Sequence, residues 1–240
     1  MKISVAMAYY NGGTYIEEQM DSILSQLGEK DEVIVSVDGA SDGSKPLLLK
    51  MAEVDSRIHI VKGPSKGVVR NFENAIRHCN GDIIYLSDQD DIWLPNKIQE
   101  MVKFLQDFDY DLVTNNCTLT DSQLNIIQKE YYTKQSPVDR SVWGNFYKDL
   151  WLGCCMAFHR RILNRILPFP EKVVAHDIWI ALFSQLHYRC GYYPKVLQLY
   201  RRHDATVSAA GGKSQNSLLF KLQYRFYILI HLILRSIKTS

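Results

Sequence analysis

Apolar residues recur at two alternating periods over the first 115 or so positions, and this alternation restricts the fold more than any other feature. Ile3, Val5 and Met7 alternate as in a strand. Past the turn at Tyr10-Asn11-Gly12-Gly13, the residues Ile16, Met20, Ile23, Leu24 and Leu27 recur at helical spacing. Thr14-x-x-Glu17 predicts a capping box at that helix start. The unit then repeats. Strands are expected at 32–37, 57–61, 82–87 and 111–114. Helices are expected from 44 to about 54, at 67–78, and from 95 to about 108. Such a chain is α/β, with a Rossmann-like, mostly parallel sheet flanked by helices. Ligands of these sheets sit outside the carboxyl ends of the strands, so the acidic loops opening at Asp38 and Asp88 are expected to face one crevice. The second half is less regular, with strands expected at 154–158 and 192–200 around a helix at 178–187.

Composition narrows the classes. With 46% hydrophobic and 22% charged residues the chain can bury a core, which excludes global disorder. A net charge of +2 calls for no nucleic acid. The five cysteines form no C-x-x-C pair, which argues against a zinc or thioredoxin-type site and fits a reducing, cytosolic compartment. Met1 to Met7 is too short an apolar run for a signal peptide, and no run reaches the roughly 18 apolar residues of a transmembrane helix.

The sharpest chemical signal is Asp88-Gln89-Asp90-Asp91, directly after an apolar strand. Three carboxylates in four residues repel one another. A hard divalent cation such as Mg²⁺ or Mn²⁺ relieves that repulsion and commonly bridges carboxylates to substrate phosphates. A solvated acidic turn is the alternative. His176-Asp177 stands where a helix begins, so Asp177 reads either as a helix cap or as a general base. Arg70 is either solvent-facing or a phosphate or base contact. Most of the tryptophans read as core, with Trp179, two residues from Asp177, the candidate for a sugar-stacking face. Cys154 and Cys155 read as small packing residues.

These elements, taken in order, resemble family 2 glycosyltransferases, in particular the bacterial rhamnosyltransferase-like branch. Asp88-Gln89-Asp90 has the D-x-D form, and Asp91-x-Trp93-x-Pro95-x-Lys97-Ile98 is similar to its continuation. Ala8-Tyr9-Tyr10-Asn11-Gly12 resembles the opening loop, and Val37-Asp38-Gly39-Ala40-Ser41-Asp42 the D-D-G-S-x-D element, with Val37 and Ala40 as departures. Gly67-x-x-Arg70-Asn71, Gly153-Cys154-Cys155-Met156, His176-Asp177-x-Trp179 and Tyr200-Arg201-Arg202-His203 match later elements, so the resemblance covers roughly residues 2 to 208.

The resemblance implies a GT-A fold in one domain, residues 1–208, with a nucleotide-sugar half at 1–115 and an acceptor half at 116–208. It implies metal-dependent sugar transfer with inversion. Ala8, Tyr10, Asp38, Arg70 and Asp88 would bind the nucleotide sugar, with Asp38 on the base and Asp88 on the ribose or metal. Asp90 would ligate Mn²⁺ or Mg²⁺, Asp177 would be the general base, and Trp179 and His203 would contact acceptor or diphosphate. A UDP- or dTDP-linked donor, with rhamnose as the guess, and a lipid-linked saccharide acceptor in bacterial surface polysaccharide assembly complete that expectation.

The tail, residues 213–240, reads as a very apolar helix with Lys221, Arg225 and Arg235 on one stripe, and no acidic residue follows Asp204. It is expected to lie on the inner face of the cell membrane or to pair with a second copy of the chain. Ala209-Ala210-Gly211-Gly212 reads as a hinge before it. Two other enzyme readings fit less well. A sugar-1-phosphate nucleotidyltransferase wants a basic, Gly-rich loop after strand one, and an aspartyl phosphatase wants its D-x-D after the first strand rather than the fourth. A catalytically inactive nucleotide-sugar-binding scaffold is the non-enzymatic alternative.

Overall fold

The computed structural model describes residues 1–39, 41–133, 142–147, 151–203 and 217–238. Ala40 and the hinge at 209–212 lie outside the described residues. The first half alternates as expected: β1 (Ile3–Tyr9), α1 (Ile16–Leu24), β2 (Glu32–Val37), α2 (Lys45–Val54), β3 (Ile58–Lys62), α3 (Val68–His78), β4 (Ile83–Ser87), a two-residue β5 (Ile92–Trp93) and α4 (Lys97–Asp107). Then follow β6 (Leu112–Thr120), β7 (Ile126–Gln128), α5 (Val142–Tyr147), β8 (Met156–His159), α6 (Leu163–Ile166), α7 (His176–His187), β9 (Cys190–Arg201) and α8 (Leu218–Lys238).

One sheet runs β3-β2-β1-β4-β8-β6-β9-β5, with β7 on β6. The strands β3, β2, β1 and β4 are mutually parallel, and β8 joins β4 antiparallel. This is the mostly parallel GT-A architecture that the resemblance implies. β2 is buried along its whole length, as a strand covered on both faces must be. On one face Met20, Ile23, Met101 and Leu105 are buried with Val5, Val33 and Tyr85. On the other, Phe72, Ala75 and Ile76 of α3 are buried with Trp179 and Phe183 of α7.

Several sequence expectations need correction. No capping box forms: α1 starts at Ile16 behind Tyr15, without a side-chain cap. β6 continues to Thr120, because parallel pairing with β9 reaches Arg201, so one strand runs through residue 115. Cys154 and Cys155 lie in a 3₁₀ turn, and the strand begins only at Met156.

The tail is helical, but its arginines Arg225 and Arg235 face the body. Ile228 and Leu232 are buried. Arg235 donates to the carbonyls of Arg165, Leu167 and Pro168 at 2.9, 2.8 and 2.7 Å, and Arg225 to that of Tyr147 at 2.6 Å. The opposite face, Leu219, Leu222, Phe226, Ile233 and Ile237, is more than half exposed on every residue. The outward stripe is therefore apolar, not basic. Among the described residues no helix is long and apolar enough to cross a membrane.

Candidate functional site

Parallel register brings the ends of β1, β2 and β4 to one edge: Tyr9 lies beside Val37, and Met7 beside Ser87. The loops that follow must meet there, and side chains tie them together. Gln89 clamps Tyr10, accepting from its N–H and donating to its carbonyl, both at 2.8 Å. Asn11 accepts from the Ser41 N–H at 2.9 Å, and Asp42 from the Gly13 N–H at 3.1 Å. Asp38 accepts the N–H groups of Ser65 and, at 3.2 Å, Gly67. Gly67 has φ 82, a left-handed conformation that suits glycine, and it opens α3. A cleft of about 720 Å³ lies alongside, lined by Lys66, Gly67, Arg70, Glu171 and Val173 among others.

The second half reaches the same edge through antiparallel pairing. Tyr85 faces Ala157 across β4 and β8, so the chain before β8 passes Asp88. The Cys154 Sγ and an Asp88 carboxylate oxygen lie within 4.8 Å of each other. Asp177 stands in the first turn of α7, whose cap position is Ala175, so the capping role does not hold. Its Oδ1 accepts the Ile178 N–H at 2.9 Å. Gly153 permits this approach: a Cβ there would lie 2.6 Å from His176 Nε2 and 3.4 Å from Asp177 Cβ. His176 is itself stacked on Phe72 of α3, with ring centroids 3.9 Å apart.

Asp88 takes up protons far more readily than a free carboxylate, its pKa pushed up to about 7 by burial and by the charges of Asp90 and Asp177. Asp90 meets His203, whose Nε2 is 2.8 Å from Asp90 Oδ2, and the Tyr15 ring lies behind His203 at 4.9 Å. Asp91 is fully buried and already engaged: its oxygens accept the Arg201 N–H at 2.9 Å and the Gln198 amide at 2.6 Å. Ligand atoms of Asp88, Asp91 and Cys154 lie within 4.8 Å of one another. A thiol suits a hard cation poorly. A hard cation prefers oxygen ligands, which the carboxylates of Asp88 and Asp90 offer, and the proton affinity of Asp88 marks charge that a cation would offset.

The structure thus brings Asp90 and His203 into contact and Asp88 into the field of Asp90 and Asp177, while Asp38 lies at the same sheet edge two strands away, with Ala8 and Tyr10 on the strand end and loop between. Two candidates are engaged within the protein. Arg70 binds Glu73 and the carbonyls of Phe169 and Pro170 at 3.1 and 2.9 Å, which ties α3 to the chain before α7. Trp179 is fully buried, its indole N–H donating to the Ile166 carbonyl at 2.9 Å, so it offers no face to a sugar. Sequence reasoning missed Gln89, Tyr15 and Gln198. Gln89 sits inside the D-x-D, where an uncharged residue between two carboxylates was the available clue.

Comparison with known proteins agrees with this fold. The family described as Glycosyl transferase family 2 matches residues 4–167, a span that ends before Asp177 and His203. A dTDP-rhamnosyl transferase of Shigella flexneri is 26% identical over 237 residues, covering 91% of this chain and 77% of the relative. A UDP-Glc:alpha-D-GlcNAc-diphosphoundecaprenol beta-1,3-glucosyltransferase of Escherichia coli is 23% identical over 214 residues, covering 86% and 79%. Among solved structures, a mannosyltransferase of Pyrobaculum calidifontis in complex with GDP-Man and Mn²⁺ superposes with a TM-score of 0.64 at 23% identity, covering 85% of this chain and 57% of that one.

Proposed function

Because the chain belongs to glycosyl transferase family 2 and is a glycosyltransferase, we propose that it transfers a sugar with inversion from a UDP- or dTDP-linked donor to a lipid-linked saccharide, with Mn²⁺ or Mg²⁺. The observation that carries this reading is the convergence of Asp88, Asp90, Asp177 and His203 from distant segments on one sheet edge. Rhamnose is the candidate sugar, supported by the dTDP-rhamnosyl relative. The lipid-linked acceptor is supported by the diphosphoundecaprenol in another relative's name, and the cation by the Mn²⁺ in a structural neighbour.

In this reading Asp38 contacts the base, and Asp88, Asp90 and His203 would hold the cation. When bound, the cation offsets charge on the leaving diphosphate. Asp177 takes the proton from the acceptor hydroxyl as that oxygen attacks the anomeric carbon. Arg70 tethers α3 to the chain before α7 at the edge of the cleft. The outward apolar stripe of α8 rests on the inner face of the membrane, near a lipid-linked acceptor. The test is transfer by purified protein from dTDP-rhamnose and UDP-glucose, with and without Mn²⁺, to a lipid-diphosphate saccharide. Metal-dependent transfer with an inverted anomeric centre, seen by NMR, is expected. Tight donor binding without transfer to any acceptor would favour the scaffold reading.

A further inference from the structure

A buried chain of three side chains joins the acidic loop to the end of β9. Lys97, at the first position of α4, is fully buried. Its ammonium donates to the Cys154 carbonyl at 3.1 Å and to Gln198 Oε1 at 2.5 Å. An ammonium has donors only, so Gln198 must turn its oxygen toward Lys97. Its Nε2 then faces Asp91 and donates to Oδ2 at 2.6 Å. The other Asp91 oxygen accepts the Arg201 N–H at 2.9 Å. Asp91, Lys97 and Gln198 are all fully buried, so water does not compete and the direction of the chain is fixed.

The ends of this relay are informative. It runs from Lys97 through Gln198 to Asp91, one residue after Asp90, and Asp91 in turn holds the Arg201 N–H, two residues before His203. The backbone pairing between these segments is short, since β5 contributes only Ile92 and Trp93 to β9. That two-residue ladder and the Leu94 N–H on the Leu197 carbonyl at 3.0 Å pair β9 with the segment just after an acidic loop whose carboxylates repel one another. We propose that Asp91, Gln198 and Lys97 are positioning residues: they lock the acidic loop to the end of β9 so that His203 stays against Asp90. The inference rests on the reading of Asp90 and His203 as cation-binding. It opposes a role for Asp91 as a ligand, which its proximity to Asp88 and Cys154 would otherwise suggest.

The test exchanges the polarity of the relay. In Asp91→Asn one oxygen can still accept from Arg201, but an NH₂ group then faces the NH₂ of Gln198. In Asp91→Asn/Gln198→Glu the new amide donates to the new carboxylate, which still accepts from Lys97, and the buried charge is unchanged. Mn²⁺ affinity is measured by paramagnetic resonance without donor. Asp91→Asn is expected to weaken binding by about tenfold or more, the scale of a lost buried bond to a charged group. The double variant is expected to return to within about threefold of the unaltered protein, since the relay is restored. Unchanged affinity in Asp91→Asn overturns the proposal. So does a double variant as weak as the single one, which would make Asp91 a ligand.

If Asp91→Asn does not fold, the double variant decides alone. If neither folds, amide exchange on the unaltered protein decides. Saturating Mn²⁺ should slow exchange of the Arg201 N–H by about tenfold or more, because coupling between the metal and the relay is reciprocal. No change there overturns the proposal. Asp90→Ala separates the two layers of the argument. If Asp90→Ala leaves Mn²⁺ binding intact, the cation reading fails and the relay falls with it. If Asp90→Ala abolishes binding and Asp91→Asn does not alter it, the relay alone fails.

Discussion

His203 Nε2 lies 2.8 Å from Asp90 Oδ2, across 113 residues of sequence. The imidazole is held from behind by Tyr15, and Arg201 lies over the same Tyr15 ring at 4.4 Å. In the proposed reading this carboxylate and imidazole would serve as ligands of one cation. His203→Ala is expected to lower Mn²⁺ affinity by about 10- to 100-fold and leave the melting temperature nearly unchanged. Calorimetric titration of Mn²⁺ checks this, and an unaltered affinity would assign His203 to the fold alone.

Asp88 supplies a pH dependence. Its pKa is pushed up from 3.8 to about 7, first by burial and then by Asp90 and Asp177. A raised carboxylate binds protons better in the folded state, so its contribution to stability is present below pH 3.8 and is lost as pH rises through about 7. Cation binding needs the ionised form. Mn²⁺ affinity should therefore rise between pH 6 and pH 8 by up to about tenfold per pH unit below the pKa, then level off. In the same window the metal-free protein should lose stability. Titrations at several pH values, paired with melting curves without metal, read both trends. A flat affinity profile would contradict the position of Asp88 in the site.

As the proposed general base Asp177 would need freedom to reach an acceptor, and Gly153 leaves room beside it. Asp177→Asn should lower kcat by about 10²- to 10⁴-fold with little change in donor KM, as expected for a lost general base. Gly153→Ala would place a methyl group 2.6 Å from His176 Nε2. It should cost about 1–3 kcal/mol of stability and reduce transfer with the Asp177 carboxylate intact. Steady-state kinetics and denaturant unfolding measure the two effects. Wild-type kcat in Asp177→Asn would remove that residue from the chemistry.

The tail divides into two faces with separable roles. Ile233 is about half exposed on the outward stripe, while Arg235 is bound to three backbone carbonyls of the body. Ile233→Glu should weaken binding to anionic vesicles by about tenfold or more while leaving the melting temperature unchanged. Arg235→Met should lower the melting temperature, because it leaves those carbonyls without their donor. Vesicle sedimentation and thermal melts distinguish the faces. Equal vesicle binding by Ile233→Glu, with a loss of dimer instead, would assign the stripe to a second copy of the chain.

Much of the site was legible because it lies at strand ends. The alternation of apolar periods gives a parallel sheet, and a parallel sheet puts the Asp38 and Asp88 loops together without further information. What sequence could not give was register between distant strands. The contact of Asp90 with His203, and that of Asp91 with Gln198, depend on how β9 pairs with β5 and β6. Trp179 was misplaced although its spacing held the answer. Two residues on a helix are 200° apart, so if Asp177 faces the crevice Trp179 faces away from it, into the core. The tail was misread in the same manner. Arg225 and Arg235 share a face with the buried Ile228 and Leu232, and the stripe free to meet a partner is the one without charge.

The central claim is that Asp90 belongs to a cation site that holds a nucleoside diphosphate. The most direct measurement is a thermal-shift screen of purified protein with UDP, dTDP and GDP, each with and without Mn²⁺, run beside Asp90→Ala. A ligand bound only by the folded state raises the melting temperature. The account predicts a rise with UDP or dTDP that requires Mn²⁺ and disappears in Asp90→Ala. A rise of equal size without metal, or one that survives in Asp90→Ala, would contradict it.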